Sequence, residues 1–243
     1  MTDAAFSPVV LWEGAPVLLR HPEVFDPGTD SVLLADFCDG GKRIADLGCG
    51  GGILSILLAA RSPDAEITAI DLSPAACATT LAAAERNGFS HRIRVLQGDL
   101  RQPETLPEGG SFDCAVCNPP YFAEGRGTDA AGARLGARGD GTCGIEDVCR
   151  AARRLVRWGG RFFVVWRPER LAELFRAAGD CRLEPKRLRF ARHCPGADAC
   201  AALVEFRHGG KPGLTVLPEF VFFSAEGAPA PEYRALYHRE GDV

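Results

Sequence analysis

No long hydrophobic run occurs in this sequence. Its longest apolar stretch, ILSILLAA at residues 53–60, is far shorter than the roughly 18 residues a membrane-spanning helix needs, and Ser55 breaks it. The opening residues, MTDAAFSPVVLWEG, lack the basic segment and apolar core of a secretory signal. A cytoplasmic chain without membrane contact is the expectation. Internal repeats and heptads are also missing, which excludes solenoids and coiled coils. No second cysteine pair matches Cys114 and Cys117, and on a strand those two side chains point to opposite faces. No metal site is expected. The ten cysteines are about 4% of the chain, below the roughly 8–10% of a disulfide scaffold, and most have apolar neighbours.

What is present is an ordinary globular composition. With 243 residues, 46% hydrophobic and 25% charged, the chain suits one α/β domain with small additions, and a monomer is the default. The net charge of −4 hides an uneven distribution. Residues 150–193 hold 13 basic and 4 acidic side chains, a net of +9, while the remainder carries −13. A basic patch on an acidic body competes there with a set of solvated arginine-rich helix faces.

From residue 43 onward, strand and helix signals alternate. Arg43–Leu47 reads as a strand and Ile53–Arg61 as a helix, followed by a strand at Glu66–Asp71. Ser73 caps a helix that begins at Pro74 and runs to about Asn87, where Gly88 stops it. Strands are expected at 91–97 and 111–117. An amphipathic helix at 145–158 then ends at Gly159-Gly160, and a buried strand follows at 161–166. Pro168 opens a helix reaching Ala178, and strands at 182–190 and 199–206 complete the set. The alternation predicts a parallel sheet covered on both faces by helices. Residues 1–40 read as an appendage on the substrate side, a short hairpin and a helix at 30–37, with the main domain at 41–243. Residues 124–144 contain seven glycines with Arg126, Arg134 and Arg138, a density expected of a substrate-side loop.

Asp46-Leu47-Gly48-Cys49-Gly50-Gly51-Gly52 closes the first core strand and opens the first core helix. A glycine-rich turn at that place brings backbone close to a ligand, and the helix N-terminus adds a positive field. The third glycine comes one residue too early for a dinucleotide fingerprint, since Ile53 occupies its place. The D-x-G-x-G-x-G pattern instead resembles the binding loop of class I S-adenosyl-L-methionine-dependent methyltransferases. Asp71 ends the next strand, where a carboxylate accepts hydrogen bonds from ribose hydroxyls. Asp99 follows the third strand and resembles the residue that takes a hydrogen bond from the cofactor adenine. Leu72 and Leu100 flank these acids and join them as expected cofactor contacts. All converge on the carboxyl edge of an open sheet.

Asn118-Pro119-Pro120-Tyr121 directly follows the fourth strand. Two consecutive prolines cannot continue a sheet ladder, so the chain must leave the strand there in a stiff, extended turn. The residue types suit methyl transfer to a planar amine, whose lone pair is delocalised into its ring. The Asn118 oxygen and the Pro119 carbonyl accept its two N–H bonds, which favours a pyramidal nitrogen, and Tyr121 stacks on the ring. No strong base is required, so orientation and electrostatics carry the catalysis. Asn118 also borders the expected cofactor site. The motif serves enzymes acting on adenine N6, guanine N2 and glutamine nitrogen.

Taken together, these motifs resemble the bacterial tRNA adenine-N6 methyltransferase family that modifies adenine 37 of a valine tRNA. The resemblance spans nearly the whole chain. It includes Gly28-Thr29-Asp30-Ser31-Val32-Leu33-Leu34-Ala35, Gly159-Gly160-Arg161-Phe162-Phe163, Pro185-Lys186-Arg187-Leu188-Arg189 and the closing Tyr233 and Tyr237. It implies a class I Rossmann-like fold with a seven-stranded, mostly parallel sheet, S-adenosyl-L-methionine as cofactor and tRNA as partner. It also implies phosphate contacts for Lys186, Arg187 and Arg189, with Arg138 as a further candidate. The chain departs from the family at Pro27, where a second aromatic is usual, and at Ala137-Arg138-Gly139-Asp140, where Ala-Arg-x-Glu is usual. Three alternatives remain: a glutamine methyltransferase of release-factor type, an rRNA guanine-N2 methyltransferase and a non-catalytic cofactor or RNA-binding module. The first would require a helical recognition domain, whereas about forty residues precede the glycine loop.

Overall fold

A computed structural model describes residues 6–119 and 143–237. Its centre is one sheet. Five strands run parallel: β3 (Arg43–Leu47), β4 (Glu66–Asp71), β5 (Ile93–Gln97), β6 (Phe112–Cys117) and β7 (Val156–Trp166). Beyond them lie β8 (Leu183–Arg192) and β9 (Ala199–His208), in the order β8-β9-β7-β6-β3-β4-β5, with β9 antiparallel to both neighbours. These are the seven strands expected. Two further strands of two residues each, β10 (Thr215–Val216) and β11 (Phe220–Val221), pair parallel with β8. A separate antiparallel pair, β1 (Ser7–Val9) with β2 (Leu18–Arg20), forms the N-terminal hairpin.

Both faces of the sheet are covered, which is why its central strands are apolar on successive residues rather than alternate ones. Helices α1 (Thr29–Phe37), α2 (Ile53–Arg61) and α3 (Pro74–Arg86) lie on one face, and α4 (Ile145–Leu155) and α5 (Leu171–Asp180) on the other. Phe163 belongs to the first layer with Leu33, Leu34 and Ile56; its neighbour Phe162 belongs to the second with Phe206 and Leu174. Cys114 and Cys117 separate in the same way, and all ten cysteines are free thiols. Helix α1 is buried at six of its nine positions, Leu33 and Leu34 among them, so residues 29–37 are part of the main core. Among the described residues, no helix is long and apolar enough to cross a membrane.

Local chemistry sets most element ends. The Ser73 side chain accepts from the Ala76 N–H at 3.3 Å and Pro74 occupies the first helical position, so α3 starts where its cap permits. Two sequence expectations need correction. Helix α4 stops at Leu155, not at Trp158, because Val156 pairs with Phe112 and β7 already runs through Gly159-Gly160. Trp158 is 64% exposed, with its indole laid against Gly209 and His208. Pro168 opens a single 3-10 turn before α5, with the Trp166 indole N–H donating to the Arg170 carbonyl at 3.0 Å. A short helix α6 (Pro231–Leu236) closes the described chain against α1 and β11.

Candidate active site

The order of β4, β3 and β6 makes the carboxyl end of β3 the point where the chain turns from one half of the sheet to the other, the usual crevice for a ligand in such sheets. The glycine loop is built there. Gly48 and Cys49 N–H groups donate to the Ile70 carbonyl at 2.8 and 3.0 Å, tying the loop to β4. The Gly50 N–H donates to Asp71 Oδ2 at 2.9 Å, and the Thr80 hydroxyl donates to the Gly50 carbonyl at 2.9 Å. Gly50 has φ +54 and open space where a Cβ would stand, so its bare backbone faces the crevice. At Gly52, φ is +82 and a Cβ would lie 2.8 Å from Thr80 Cγ2. Gly52→Ala therefore combines a left-handed backbone with a steric collision. A loss of about 2 kcal/mol or more is expected in urea unfolding, and a loss under about 0.5 kcal/mol would contradict this packing.

Three carboxylates gather at successive strand ends. Asp46 is wholly buried; its Oδ2 accepts from the Ser55 hydroxyl at 2.7 Å and N–H at 3.1 Å, while Oδ1 has no partner among the described residues. Burial is the main cause that pushes its pKa up to about 7, against the lowering effect of Ser55. Asp71 accepts from the N–H groups of Gly50 and Ser73, and burial raises its pKa as well. Asp99 is held by Arg101, whose guanidinium reaches both oxygens at 2.8–3.2 Å and keeps the carboxyl below its usual range. Leu72 stands 57% exposed beside Asp71, and Leu100 is half-buried beside Asp99.

Strand β6 delivers Asn118 to the same place. The register Asp46↔Val116, continued by the Cys117 thiol donating to the Leu47 carbonyl at 2.9 Å, sets Asn118 alongside Gly48 on neighbouring strand ends. Adjacent strands lie about 4.8 Å apart. The Asn118 side-chain NH2 donates to Ser31 Oγ on α1 at 2.8 Å, and Pro119 is buried. Pro120, Tyr121 and Arg138, three further expected site residues, lie outside the described residues.

The basic residues of β8 have partners within the protein. Arg187 pairs with Glu205 and with Asp39 at 2.9 Å, and stacks over the Phe37 ring. Arg189 pairs with Glu232, and the Lys186 ammonium donates to the Lys211 carbonyl at 3.1 Å. Both arginines thus face carboxylates within the fold. Arg153, Arg176 and Arg182 of the same basic stretch are exposed. A cavity of about 690 Å³ lies elsewhere, on the face formed by α1, α2 and α6, lined by Trp12, Val32, Asp36, Arg61 and Glu232 among others. No glycine-loop or strand-end acid lines it, so the chemistry points to the sheet edge and not to this hollow.

Ser31 and Arg101 escaped the sequence reading. Ser31 is the one polar side chain in the otherwise apolar run Ser31–Ala35, a signal of something to be satisfied; Arg101 offered only its place two residues after Asp99.

The site fits S-adenosyl-L-methionine on structural grounds. The loop leaves open space at Gly50, and an Asp46 oxygen without a partner among the described residues favours a cation when that carboxyl is ionised. Asp71 and Asp99 present acceptors at the two strand ends, and an exposed apolar Leu72 stands ready to be covered by a base.

The methyltransferase small domain model matches residues 21–175. A tRNA1(Val) (adenine(37)-N6)-methyltransferase from Yersinia pseudotuberculosis is 30% identical over 219 residues, 86% of this chain and 82% of that protein. Among solved structures, a predicted O-methyltransferase from Agrobacterium tumefaciens superposes with TM-score 0.71 at 27% identity, covering 86% of this chain and 96% of the other. Geranyl diphosphate C-methyltransferase from Streptomyces coelicolor, solved with S-adenosyl-L-homocysteine, shares the fold at TM-score 0.54 and 14% identity over 73% and 77% of the two chains. The chain is an S-adenosyl-L-methionine-dependent methyltransferase: it belongs to the methyltransferase small domain family and to the same family as the Yersinia tRNA1(Val) (adenine(37)-N6)-methyltransferase.

Proposed function

We propose that this enzyme methylates the exocyclic N6 of an adenine in tRNA, with adenine 37 of a valine tRNA as the target, as in the name of its Yersinia relative. The observation that carries the reading is the place of Asn118: on a rigid strand end beside the glycine loop, with its NH2 already bound to Ser31 at 2.8 Å. That leaves Oδ1 as the acceptor for an incoming group, and the Pro119 carbonyl follows it as a second. Two acceptors in sequence suit an amine, which offers two protons, better than a hydroxyl, which offers one.

S-Adenosyl-L-methionine supplies an electrophilic methyl group on a positively charged sulfur. The protein's part is to hold the nucleophile. Asn118 and Pro119 draw on the two N–H bonds and turn the nitrogen lone pair out of conjugation. Tyr121 fixes the plane of the base. Asp71 and Asp99 take the ribose and adenine of the cofactor, and the Arg101 clamp keeps Asp99 ionised as an acceptor. Gly48 and Gly50 give backbone access, and buried Asp46, when ionised, adds a negative charge at the end of β3. No side chain is asked to act as a strong base, so the rate rests on orientation and fixed dipoles.

The test is transfer of labelled methyl from the cofactor to bulk tRNA, followed by nucleoside analysis, with release-factor protein and rRNA as parallel acceptors. N6-methyladenosine in tRNA is the expected product. Label in protein glutamine or in N2-methylguanosine, with none in tRNA adenine, would refute the proposal.

A further inference from the structure

Asn118 can serve an amine only in one of its two amide orientations. Its Oδ1 must face the incoming N–H, and its own NH2 must face away. An amide side chain is close to symmetric in shape, so packing alone discriminates poorly between the two. In this fold the group bound to that NH2 is Ser31. Its side chain is 3% exposed, comes from α1, 87 residues earlier in the chain, and accepts the Asn118 Nδ2–H at 2.8 Å. The helix that carries it is fixed: Leu33 and Leu34 are buried in the core, the Ser31 N–H donates to the Gly28 carbonyl at 3.1 Å, and the Tyr237 hydroxyl donates to Thr29 Oγ1 at 3.3 Å. Ser31 is also a buried polar residue in an apolar helix face, where a hydroxyl carries a desolvation cost unless it has a partner.

We propose that Ser31 is a positioning residue for the methyl-transfer step, fixing the Asn118 amide with Oδ1 toward the acceptor amine. This rests on the proposed amine methylation. The proposed action of Ser31 is through Asn118. Without its hydroxyl, the amide loses the bond that holds it in this orientation, and a flipped amide presents NH2 to NH2, which no hydrogen bond can bridge.

The chain contains only two asparagines, Asn87 and Asn118, which permits a direct test. Protein labelled with 15N-asparagine gives two side-chain NH2 pairs. Asn87 donates to the carbonyls of Val17 and Ala83, both at 2.7 Å, and serves as an internal reference. In Ser31→Ala, the Asn118 pair is expected to shift and to exchange faster with solvent while the Asn87 pair stays. Turnover on tRNA should fall about tenfold, the scale of one neutral hydrogen bond, with cofactor Kd and tRNA KM within about twofold. Ser31→Thr, which keeps the hydroxyl, should restore most of the rate.

Unchanged Asn118 signals, or unchanged turnover, would overturn the proposal. So would a parallel loss of cofactor binding, melting temperature and rate that threonine does not rescue, since that is the behaviour of a purely structural serine. If the wild-type protein leaves tRNA unmethylated, the proposed function fails first, and the NMR comparison still decides whether Ser31 orients Asn118.

Discussion

Asn118→Ala is expected to lower turnover by about 10²- to 10³-fold, the range seen when one preorganised hydrogen-bonding group is removed from a transition state. Cofactor affinity should change by less than about twofold. The two effects separate because Asn118 borders the glycine loop through the Asp46↔Val116 register but is not part of the loop's own ladder, which runs through Ile70, Asp71 and Thr80. Its bond to Ser31 is lost in the variant, but Ser31 can turn its hydroxyl, so a small change in melting temperature is expected. Rapid-quench measurement of the single-turnover rate, beside calorimetric binding of S-adenosyl-L-methionine, makes the comparison. Comparable losses in both would mean that Asn118 supports the pocket rather than the chemistry.

The second large effect is at Asp46. Its folded-state pKa of about 7 stands above the 3.8 of a free carboxyl, with burial as the leading cause. The folded protein thus binds that proton more tightly than the unfolded chain. Stability from this group is fully present below about pH 4, declines as pH rises, and is lost once pH passes 7. Asp46→Asn keeps an acceptor for Ser55 and removes the titration. The unliganded variant should be more stable than wild type above pH 7, by roughly 3–4 kcal/mol at most, and indistinguishable near pH 4. Cofactor binding should move the other way. Ionised Asp46 favours a cationic ligand, so wild-type affinity is expected to rise between pH 6 and 8 and then level, while the variant binds about tenfold more weakly with a flat profile. Denaturation and calorimetry across that pH range check both. A flat wild-type binding profile, or a variant less stable at pH 8, would contradict the reading of Asp46.

The parts of the site that were legible in the sequence are those fixed by local backbone rules. Gly52 must be glycine because its φ is +82 and Thr80 fills the space a Cβ would need. The prolines after Asn118 must end β6 wherever the rest of the chain goes. The cap at Ser73 and the acids at strand ends follow from the same short-range logic. What stayed hidden depends on partners far away in the chain. Ser31 meets Asn118 only after α1 docks on the sheet. Arg187 meets Glu205 and Asp39 only when the fold brings them to it, across 18 and 148 residues. A count of charges along the chain registers how many there are and not which are already matched. The end of α4 was overrun for a related reason: its arginine-rich helical period continues to Trp158, but sheet pairing of Val156 with Phe112 outweighs it.

The nucleoside content of tRNA reports directly whether this enzyme methylates adenine through Asn118. Purified tRNA from cells lacking this protein, from wild-type cells and from cells complemented with wild-type or Asn118→Ala protein would be digested and analysed by mass spectrometry, with valine tRNA mapped at position 37. N6-methyladenosine at that position is expected in the wild-type and wild-type-complemented samples, and is expected to vanish both from the deletion and from the Asn118→Ala complement. Equal amounts of N6-methyladenosine in all four would contradict the account.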